Sequence, residues 1–256
     1  MTNELIQAQF GPRAMDYVRS SVYARGESLG ALLARLQRDP IRLALDIATG
    51  GGHTALVLSP LAKRVVASDI TGPMLRVARD WLAENGAENG LFCQHDAGLM
   101  PFPEGTFDVV TCRLAPHHFA DVGAFLHSCV RVVRRGGCVA VIDNVTPPEP
   151  LAVRFINAFE RLRDRSHNFE HSVYDWEAFF HAAGMRVEHR QQFRKPIDFG
   201  AYCDRMGVSE RMRTRLRVML LQAPAAARAA LNPRVVDGRM TFDLGELLIV
   251  GRRAAR

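Results

Sequence analysis

From residue 41 onward, short apolar runs alternate with longer segments in which apolar residues recur at helical spacing. The apolar runs predict strands at residues 42–47, 64–69, 91–95, 107–112 and 137–143. The periodic segments predict helices near residues 52–62, 72–85 and 121–134. Such alternation is typical of βαβ units, whose parallel strands form a sheet covered by helices on both faces.

Segments on both sides of this region predict more helices. Residues 1–40 form a predicted N-terminal helical segment, with its clearest amphipathic run at 28–37. Further along the chain, helices are predicted near 150–165, 174–184 and 198–232, and strands at 185–189 and 242–251. We expect residues 41–256 to form an α/β domain with a doubly wound, mostly parallel sheet of seven strands. Helical insertions at about 148–175 and 197–235 are expected to form a lid near the carboxyl ends of the strands, where such sheets bind ligands.

A glycine-rich turn follows the first strand. Asp46 stands near the end of that strand, Gly50 to Gly52 follow it, and a helical pattern then resumes. Glycine lacks a Cβ atom and reaches positive φ freely, so such a turn brings bare backbone close to a ligand. The helix behind it presents unpaired N–H groups. The turn is therefore predicted to bind a polar or anionic group.

Acidic residues mark the ends of three successive predicted strands: Asp46, Asp69 and Asp96. This arrangement suits a ligand with a cationic end and a ribose diol. The segment from Gly50 to Ala55 also fits the nicotinamide dinucleotide fingerprint, and Asp69 lies near the distance at which that fingerprint places a ribose-binding carboxylate. Asp46 favours the first ligand, because a carboxylate repels a pyrophosphate, whereas it helps to hold an ammonium group.

The chain resembles the class I S-adenosylmethionine-dependent methyltransferases, and within them the small-molecule branch similar to the ubiquinone/menaquinone C-methyltransferases. The resemblance is carried by the segments Asp46–Gly52, Val65–Ile70, Asp96–Pro103, Phe107–Phe119 and Arg134–Gly137. It implies a Rossmann-like fold, S-adenosylmethionine as cofactor, S-adenosylhomocysteine as product, and an N-terminal segment that folds over the cofactor. Ala48 stands where the family usually has its first glycine, and this small change leaves the predicted binding intact.

The resemblance also assigns roles in the cofactor site. Asp69 is expected to accept hydrogen bonds from both ribose hydroxyls, although it could instead cap the following helix. Ile70 and Met74 are expected to flank the adenine, and Met74 is equally well explained as helix core. Arg113 follows the fourth strand, where the family's backbone runs beside the methionine portion of the cofactor, although its side chain could instead face solvent or a carboxylate. Arg25 in the N-terminal segment is a further candidate for contact with the ligand. The other predicted cofactor contacts are Tyr17, Asp46, Ala48, Gly50, Gly52, Asp96, Ala97 and Arg113.

His117 and His118 follow the fourth predicted strand, where the sulfonium and the acceptor are expected to meet. A neutral imidazole there takes a proton from an oxygen or nitrogen acceptor. Methyl transfer is an in-line displacement at an activated carbon, and positioning supplies much of its acceleration. Instead of acting as a base, each histidine could therefore shape the pocket or form a hydrogen bond to a loop. Four side chains of the predicted lid could bind acidic or phenolic groups, or could form only the solvated face of a helix. They are Arg161, Arg163, His167 and His171.

The chain has 256 residues and a formal net charge of +6, and its basic residues are scattered. It has no recognisable RNA-binding module, and Arg113–His117 stands where amino-group nucleic-acid methyltransferases carry Asn/Asp-Pro-Pro-aromatic. A small-molecule acceptor is therefore predicted rather than nucleic acid, with the protein as a monomer or homodimer. The sequence predicts neither a membrane span nor a signal peptide, so a cytoplasmic location is expected.

The cysteines predict neither disulfides nor a zinc site. The five cysteines lack C-x-x-C spacing and are expected to be reduced thiols. Neither a metal site nor a serine hydrolase is predicted. The expected function is methyl transfer from S-adenosylmethionine to a small organic acceptor. The alternatives are a protein that binds this cofactor without methylating and an NAD(P)-dependent oxidoreductase.

Overall fold

The structure is a computed structural model that describes residues 3–15, 26–37 and 40–255. Its centre is an eight-stranded sheet. The strands are β1 (Ile41–Ile47), β2 (Ala62–Asp69), β3 (Gly90–Gln94), β4 (Phe107–Arg113), β5 (Val133–Val145), β6 (Met185–Asp198), β7 (Arg234–Val236) and β8 (Arg239–Arg253). The α-helices of the described residues are α1 (Asn3–Phe10), α2 (Glu27–Leu36), α3 (His53–Leu58), α4 (Gly72–Glu84), α5 (Val122–Val132), α6 (Pro150–Arg163), α7 (Val173–Ala182), α8 (Phe199–Asp204), α9 (Glu210–Leu221) and α10 (Ala225–Leu231).

The sheet has the strand order β3-β2-β1-β4-β5-β8-β6, and β7 pairs only with β8. Strands β1 to β5 pair in parallel, whereas β8 runs antiparallel to both β5 and β6. The predicted mostly parallel, doubly wound α/β sheet is confirmed. Because β1 pairs with β2 on one side and with β4 on the other, the switch point lies at the carboxyl ends of β1 and β4.

Several element boundaries differ from the sequence prediction. Helix α3 ends at Leu58 rather than at residue 62, because Pro60 has no N–H group with which to continue the helical hydrogen bonds. Strand β5 begins at Val133. Strand β6 continues to Asp198, since an edge strand with one solvated face tolerates the polar residues that follow His189. The short strand β7 was not predicted.

Apolar side chains cover both faces of the sheet. On one face, Phe125 of α5 and Trp176 of α7 pack against the sheet, and both side chains are about 1% exposed. On the other face, Leu32 of α2, Leu58 of α3 and Leu82 of α4 pack in the same way. The near-continuous apolar runs of the central strands follow from this burial on both sides.

Helices α6, α8, α9 and α10 form a separate group, which we call the capping helices. They pack around a third apolar cluster together with β8. In this cluster the ring of Phe159 on α6 lies edge-on to that of Phe242 on β8, with centroids 5.8 Å apart. Leu216 and Leu220 of α9 are fully buried in it. The capping helices therefore have a core of their own beside the sheet.

Candidate active site

A cavity of about 290 Å³ lies at the carboxyl ends of the central strands, between α1 and the capping helices. Most of the residues predicted for the cofactor and for catalysis line it: Ala48, Gly50, Asp69, Ile70, Met74, Asp96, Ala97, Arg113, His117 and His118. Asp46 and Gly52 are not on its wall. Tyr17 and Arg25 lie outside the described residues.

Asp46 supports the glycine turn from behind. Its side chain is buried, with one carboxylate oxygen accepting a hydrogen bond from Thr49 Oγ1 at 2.7 Å and the other from Thr111 Oγ1 at 2.8 Å. Burial raises the pKa of Asp46 to about 6, although these hydrogen bonds and the charge of Arg113 favour the ionised form. Asp46 therefore acts through the turn and the strand end, without lining the cavity.

The glycine turn uses left-handed backbone at three positions. Ala48, Gly50 and Gly52 have φ of 51°, 53° and 84°. A Cβ atom at Gly50 would stand in open space, whereas one at Gly52 would lie 2.9 Å from Leu82 Cδ1 on α4. Gly50 thus faces the cavity, and Gly52 permits close packing of the turn against α4.

Asp69 joins the turn to the start of α4. Its Oδ2 accepts a hydrogen bond from the Gly50 N–H at 3.0 Å, and its Oδ1 accepts one from the Thr71 N–H at 2.8 Å. The N-cap of α4 is Thr71, so Asp69 is not the capping residue itself. Burial raises the pKa of Asp69, and these N–H groups oppose the rise. The Thr71 hydroxyl and the Ile70 N–H oppose the rise as well.

Helix α1 lies across one end of the cavity. Asn3 donates a hydrogen bond to the Asp96 carboxylate, and Gln7 Nε2 donates one to the carbonyl oxygen of Ile70 at 2.8 Å. At the end of the helix, the ring of Phe10 lies edge-on to that of His118, with centroids 5.1 Å apart. The N-terminal helix thus contacts both the predicted adenine region and the predicted catalytic histidines.

His117 forms a buried pair with Asp143 of β5. Its Nδ1 lies 2.6 Å from Asp143 Oδ1, and both side chains are under 10% exposed. Because the carboxylate accepts the bond, Nδ1 carries a proton and Nε2 holds the lone pair of the neutral ring. Burial alone would disfavour the charged imidazolium, but the charge and the hydrogen bond of Asp143, together with the charges of Glu170 and Asp164, outweigh it and raise the pKa of His117.

His118 has the opposite electrostatic environment. Its Nδ1 lies 2.8 Å from the carbonyl oxygen of Ser166, which only accepts, so Nδ1 is again the protonated nitrogen. Burial, together with the neighbouring charge of His117, lowers the pKa of His118 to about 3. The two rings lie 4.1 Å apart, and their pKa values are displaced in opposite directions.

The segment between α6 and α7 binds back onto the histidines. The N–H groups of Asn168 and Phe169 both donate to the carbonyl oxygen of His117. Glu170 is buried, and Asn144 Nδ2 donates to its carboxyl at 3.3 Å. Burial and the nearby charge of Glu160 raise the pKa of Glu170 to about 8. A buried polar network therefore connects the site to the capping helices.

Sequence reasoning missed several residues of the site. Asp143 follows the apolar run of β5, in the way that Asp69 ends β2, so its position in the strand was an available signal. The others lie on the capping helices and on β6, with no motif to mark them. They line the cavity at Lys195, Tyr202 and Arg205. Of the predicted lid residues Arg161, Arg163, His167 and His171, only Arg163 lines it.

No helix of the described residues is both long and apolar enough to cross a membrane. Within the same described part of the chain, no group of three or more His, Cys, Asp or Glu side chains could hold a metal ion.

Residues 45–141 match the family model described as a methyltransferase domain. The uncharacterized methyltransferase YcgJ of Bacillus subtilis is 36% identical over 207 residues, which cover 81% of this chain and 81% of that protein. The crystal structure of YcgJ has a TM-score of 0.84 at 32% identity, covering 89% of this chain and 98% of that one. The ubiquinone/menaquinone biosynthesis C-methyltransferase UbiE of Ectopseudomonas mendocina is 35% identical over 125 residues, 47% of this chain and 48% of that protein.

The chain therefore belongs to the S-adenosylmethionine-dependent methyltransferases. Over 89% of its length it is similar to YcgJ, and over 47% of its length it is similar to a ubiquinone/menaquinone C-methyltransferase. S-adenosylmethionine is the cofactor of this family, which decides between the two cofactors that the glycine turn alone left open.

Proposed function

We propose that the protein transfers the methyl group of S-adenosylmethionine to a small organic acceptor by in-line displacement. One observation carries this proposal: a single cavity is lined by the turn residue Gly50 and by Asp69, and also by Arg163 and Tyr202 of the capping helices. The first pair belongs to the cofactor end, and the second pair lines an acceptor end. A protein that only binds the cofactor has no use for this second compartment.

The described residues fit the cofactor at the first end. Asp69 lines this end and in this proposal accepts the two ribose hydroxyls, and Gly50 leaves room for the methionine portion, since the space beside its Cα is open. Ile70 and Met74 flank the adenine in this proposal, and Asp96 with Ala97 meets its amine edge. Ala48 and Arg113 make the remaining contacts with the cofactor in this proposal. Asp46 and Gly52 hold the glycine turn in place.

We assign proton removal from the acceptor to His117. The best base has a pKa near the working pH, and the Asp143 pair moves His117 towards that condition. His118, with a pKa of about 3, stays neutral and is too weak a base, so we assign it the role of shaping the cavity. Asp143 orients the His117 ring through Nδ1 and stabilises the imidazolium that forms.

The cofactor, when bound, supplies a methyl carbon that is already activated by positively charged sulfur. The side chains hold the acceptor oxygen or nitrogen in line with that carbon and exclude water. As the new bond to carbon forms, the proton of the acceptor passes to His117 Nε2. S-adenosylhomocysteine remains as the second product.

Calorimetric titration with S-adenosylhomocysteine, with NADH as the control ligand, tests the first part of this proposal. We expect micromolar binding of S-adenosylhomocysteine and none of NADH. Binding of NADH alone, or of neither ligand, would contradict the assignment of the cofactor end. A screen of small phenols, amines and carboxylic acids for acceptor-dependent release of S-adenosylhomocysteine then separates a methyltransferase from a protein that only binds.

A further inference from the structure

The acceptor end of the cavity carries more basic side chains than the reaction requires. Arg163, Lys195 and Arg205 all line it, and they come from α6, β6 and the end of α8. Two of them have carboxylate partners. Arg163 Nε lies 2.9 Å from Glu160 Oε2, and Lys195 Nζ lies 3.0 Å from Glu246 Oε2. These two charges are therefore neutralised within the protein.

Arg205 differs from both. No carboxylate among the described residues lies within ion-pair distance of its guanidinium group. The neighbouring Asp204 pairs instead with Arg213, at 2.6 Å. Asp164, the acidic residue on this part of the cavity wall, accepts hydrogen bonds from Ser166 beside His118. Within the described part of the chain, Arg205 thus brings to the cavity a positive charge without a carboxylate counter-charge.

The position of Arg205 is fixed by Tyr202. The guanidinium carbon of Arg205 lies 5.1 Å from the centre of the Tyr202 ring, and that of Arg163 lies 3.9 Å from it. The Tyr202 hydroxyl donates to Glu160, which keeps the buried ring in place. A guanidinium group held against an aromatic face is well placed to bind an anion, because less side-chain entropy is lost on binding.

Apolar side chains line the cavity as well. Phe10, Ile197 and Leu244 line the same cavity. An acceptor that fits both features has an apolar body and one anionic group, and it also carries the oxygen or nitrogen that receives the methyl group. Carboxylates and phosphates both match the planar fork of an arginine.

We propose that the acceptor is a small organic anion, and that Arg205 binds its carboxylate or phosphate group at the end of the cavity formed by the capping helices. This inference rests on the proposed methyl transfer, because it names the substrate class for that same site. It makes Arg205 a residue that determines specificity without taking part in the chemical step.

The experiment uses the full chain saturated with S-adenosylhomocysteine, titrated calorimetrically with benzoate and with its neutral isostere benzamide. We expect benzoate to bind at least about tenfold more tightly than benzamide, which is the ratio that one charge-assisted hydrogen-bonded pair supports. Arg205→Gln should abolish this preference, and Arg205→Lys should restore part of it. Arg211→Gln is the matched control, because Arg211 is exposed on α9 away from the cavity.

The outcomes separate the two proposals. Equal binding of benzoate and benzamide, or a benzoate preference that Arg205→Gln leaves intact, overturns the anion site while the methyltransferase proposal stands. Failure of S-adenosylhomocysteine to bind the unmodified protein overturns the cofactor site, and the anion site falls with it. An unchanged affinity of Arg205→Gln for S-adenosylhomocysteine shows that the variant is folded.

Discussion

Asp69 holds the glycine turn to α4, and in the proposed function it also binds the ribose of the cofactor. We predict that Asp69→Ala weakens S-adenosylhomocysteine binding by roughly 1–3 kcal/mol, through the loss of charge-assisted hydrogen bonds. Calorimetry measures the affinity, and thermal unfolding reports the separate effect on the turn. Asp80→Ala is a suitable control, because Asp80 lies exposed on the same helix α4. An unchanged affinity in Asp69→Ala would refute the ribose assignment.

The His117–Asp143 pair leads to a prediction about pH. A general base must be neutral, so the rate should rise as the pH rises through the pKa of His117, which lies above the ordinary 6.5. Asp143→Asn removes the charge that raises this pKa, so the rising limb should move to lower pH while the maximal rate falls. His117→Gln should lower kcat by about 10²-fold or more.

Two measurements check this assignment. Histidine NMR titration gives the pKa of His117 without any acceptor and should show it falling in Asp143→Asn. The pH profile of the rate follows once an acceptor is known. His127→Gln serves as the control, because His127 lies exposed on α5. A pKa of His117 below 6.5 in the unmodified protein would be incompatible with the assignment.

For a physical reason, the sequence alone could predict that Asp69 and Asp96 lie at the same cavity. Asp69 and Asp96 follow predicted parallel strands, and parallel strands bring their carboxyl ends to one edge of the sheet. Asp46 was predicted to help hold the ligand, but its side chain turns towards Thr49 and Thr111 instead. The direction of a side chain at a strand end depends on register, which the apolar pattern does not specify.

At the scale of elements, the glycine turn between β1 and α3 gives a matched pair of variants. Gly50→Ala places a methyl group in the open space of the cavity, so it should weaken S-adenosylhomocysteine binding more than it destabilises the fold. Gly52→Ala places a methyl group against Leu82 and Ala78 and also strains a φ of 84°. It should reduce the free energy of unfolding by roughly 2–4 kcal/mol, from strain and overpacking together.

Urea denaturation and calorimetric titration of both variants test this division of roles. Gly50→Ala should lose more ligand affinity than Gly52→Ala, and Gly52→Ala should lose more stability than Gly50→Ala. Gly86→Ala is a control for backbone strain alone, since Gly86 also has positive φ, follows α4 and has open space around it. Equal stability losses in Gly50→Ala and Gly52→Ala would show that Gly52 has no special packing role.

The strands and helices of the core were predictable because their apolar patterns are long and regular. The β7–β8 hairpin was missed although its signal is present, since Asp237-Gly238 separates the two strands and both residues have positive φ. An Asp-Gly pair is a typical two-residue hairpin turn. The charged and polar residues of β6 concealed the rest of that edge strand, because their side chains alternate towards solvent.

At the scale of the whole molecule, the acceptor end is assembled from parts of the chain that are far apart. Helix α1, strand β5 and the segment between α6 and α7 meet at His117 and His118. No local pattern in the sequence specifies such an assembly, because it depends on how the capping helices pack around Phe159 and Phe242. This explains why the cofactor could be predicted from the sequence and the acceptor could not.

The buried network under the capping helices should make stability depend on pH through Glu170. Its carboxyl has a pKa of about 8 in the folded protein and an ordinary value of 4.5. Between these values the folded chain holds a proton that the unfolded chain releases, so this group's contribution to stability is lost as the pH rises through about 8. The slope reaches at most about 1.4 kcal/mol per pH unit.

Glu170→Gln keeps the hydrogen-bonding oxygen for Asn144 but cannot ionise, so its stability should not fall through this group. Urea midpoints measured from about pH 5 to about pH 9 should therefore show the unmodified protein losing stability relative to Glu170→Gln. Glu149→Gln should follow the unmodified protein, because Glu149 is exposed at the start of α6. Parallel curves for Glu170→Gln and the unmodified protein would mean that Glu170 is ionised in the fold. In that case the buried charge would have to be balanced by His117, whose pKa the charge of Glu170 helps Asp143 to raise.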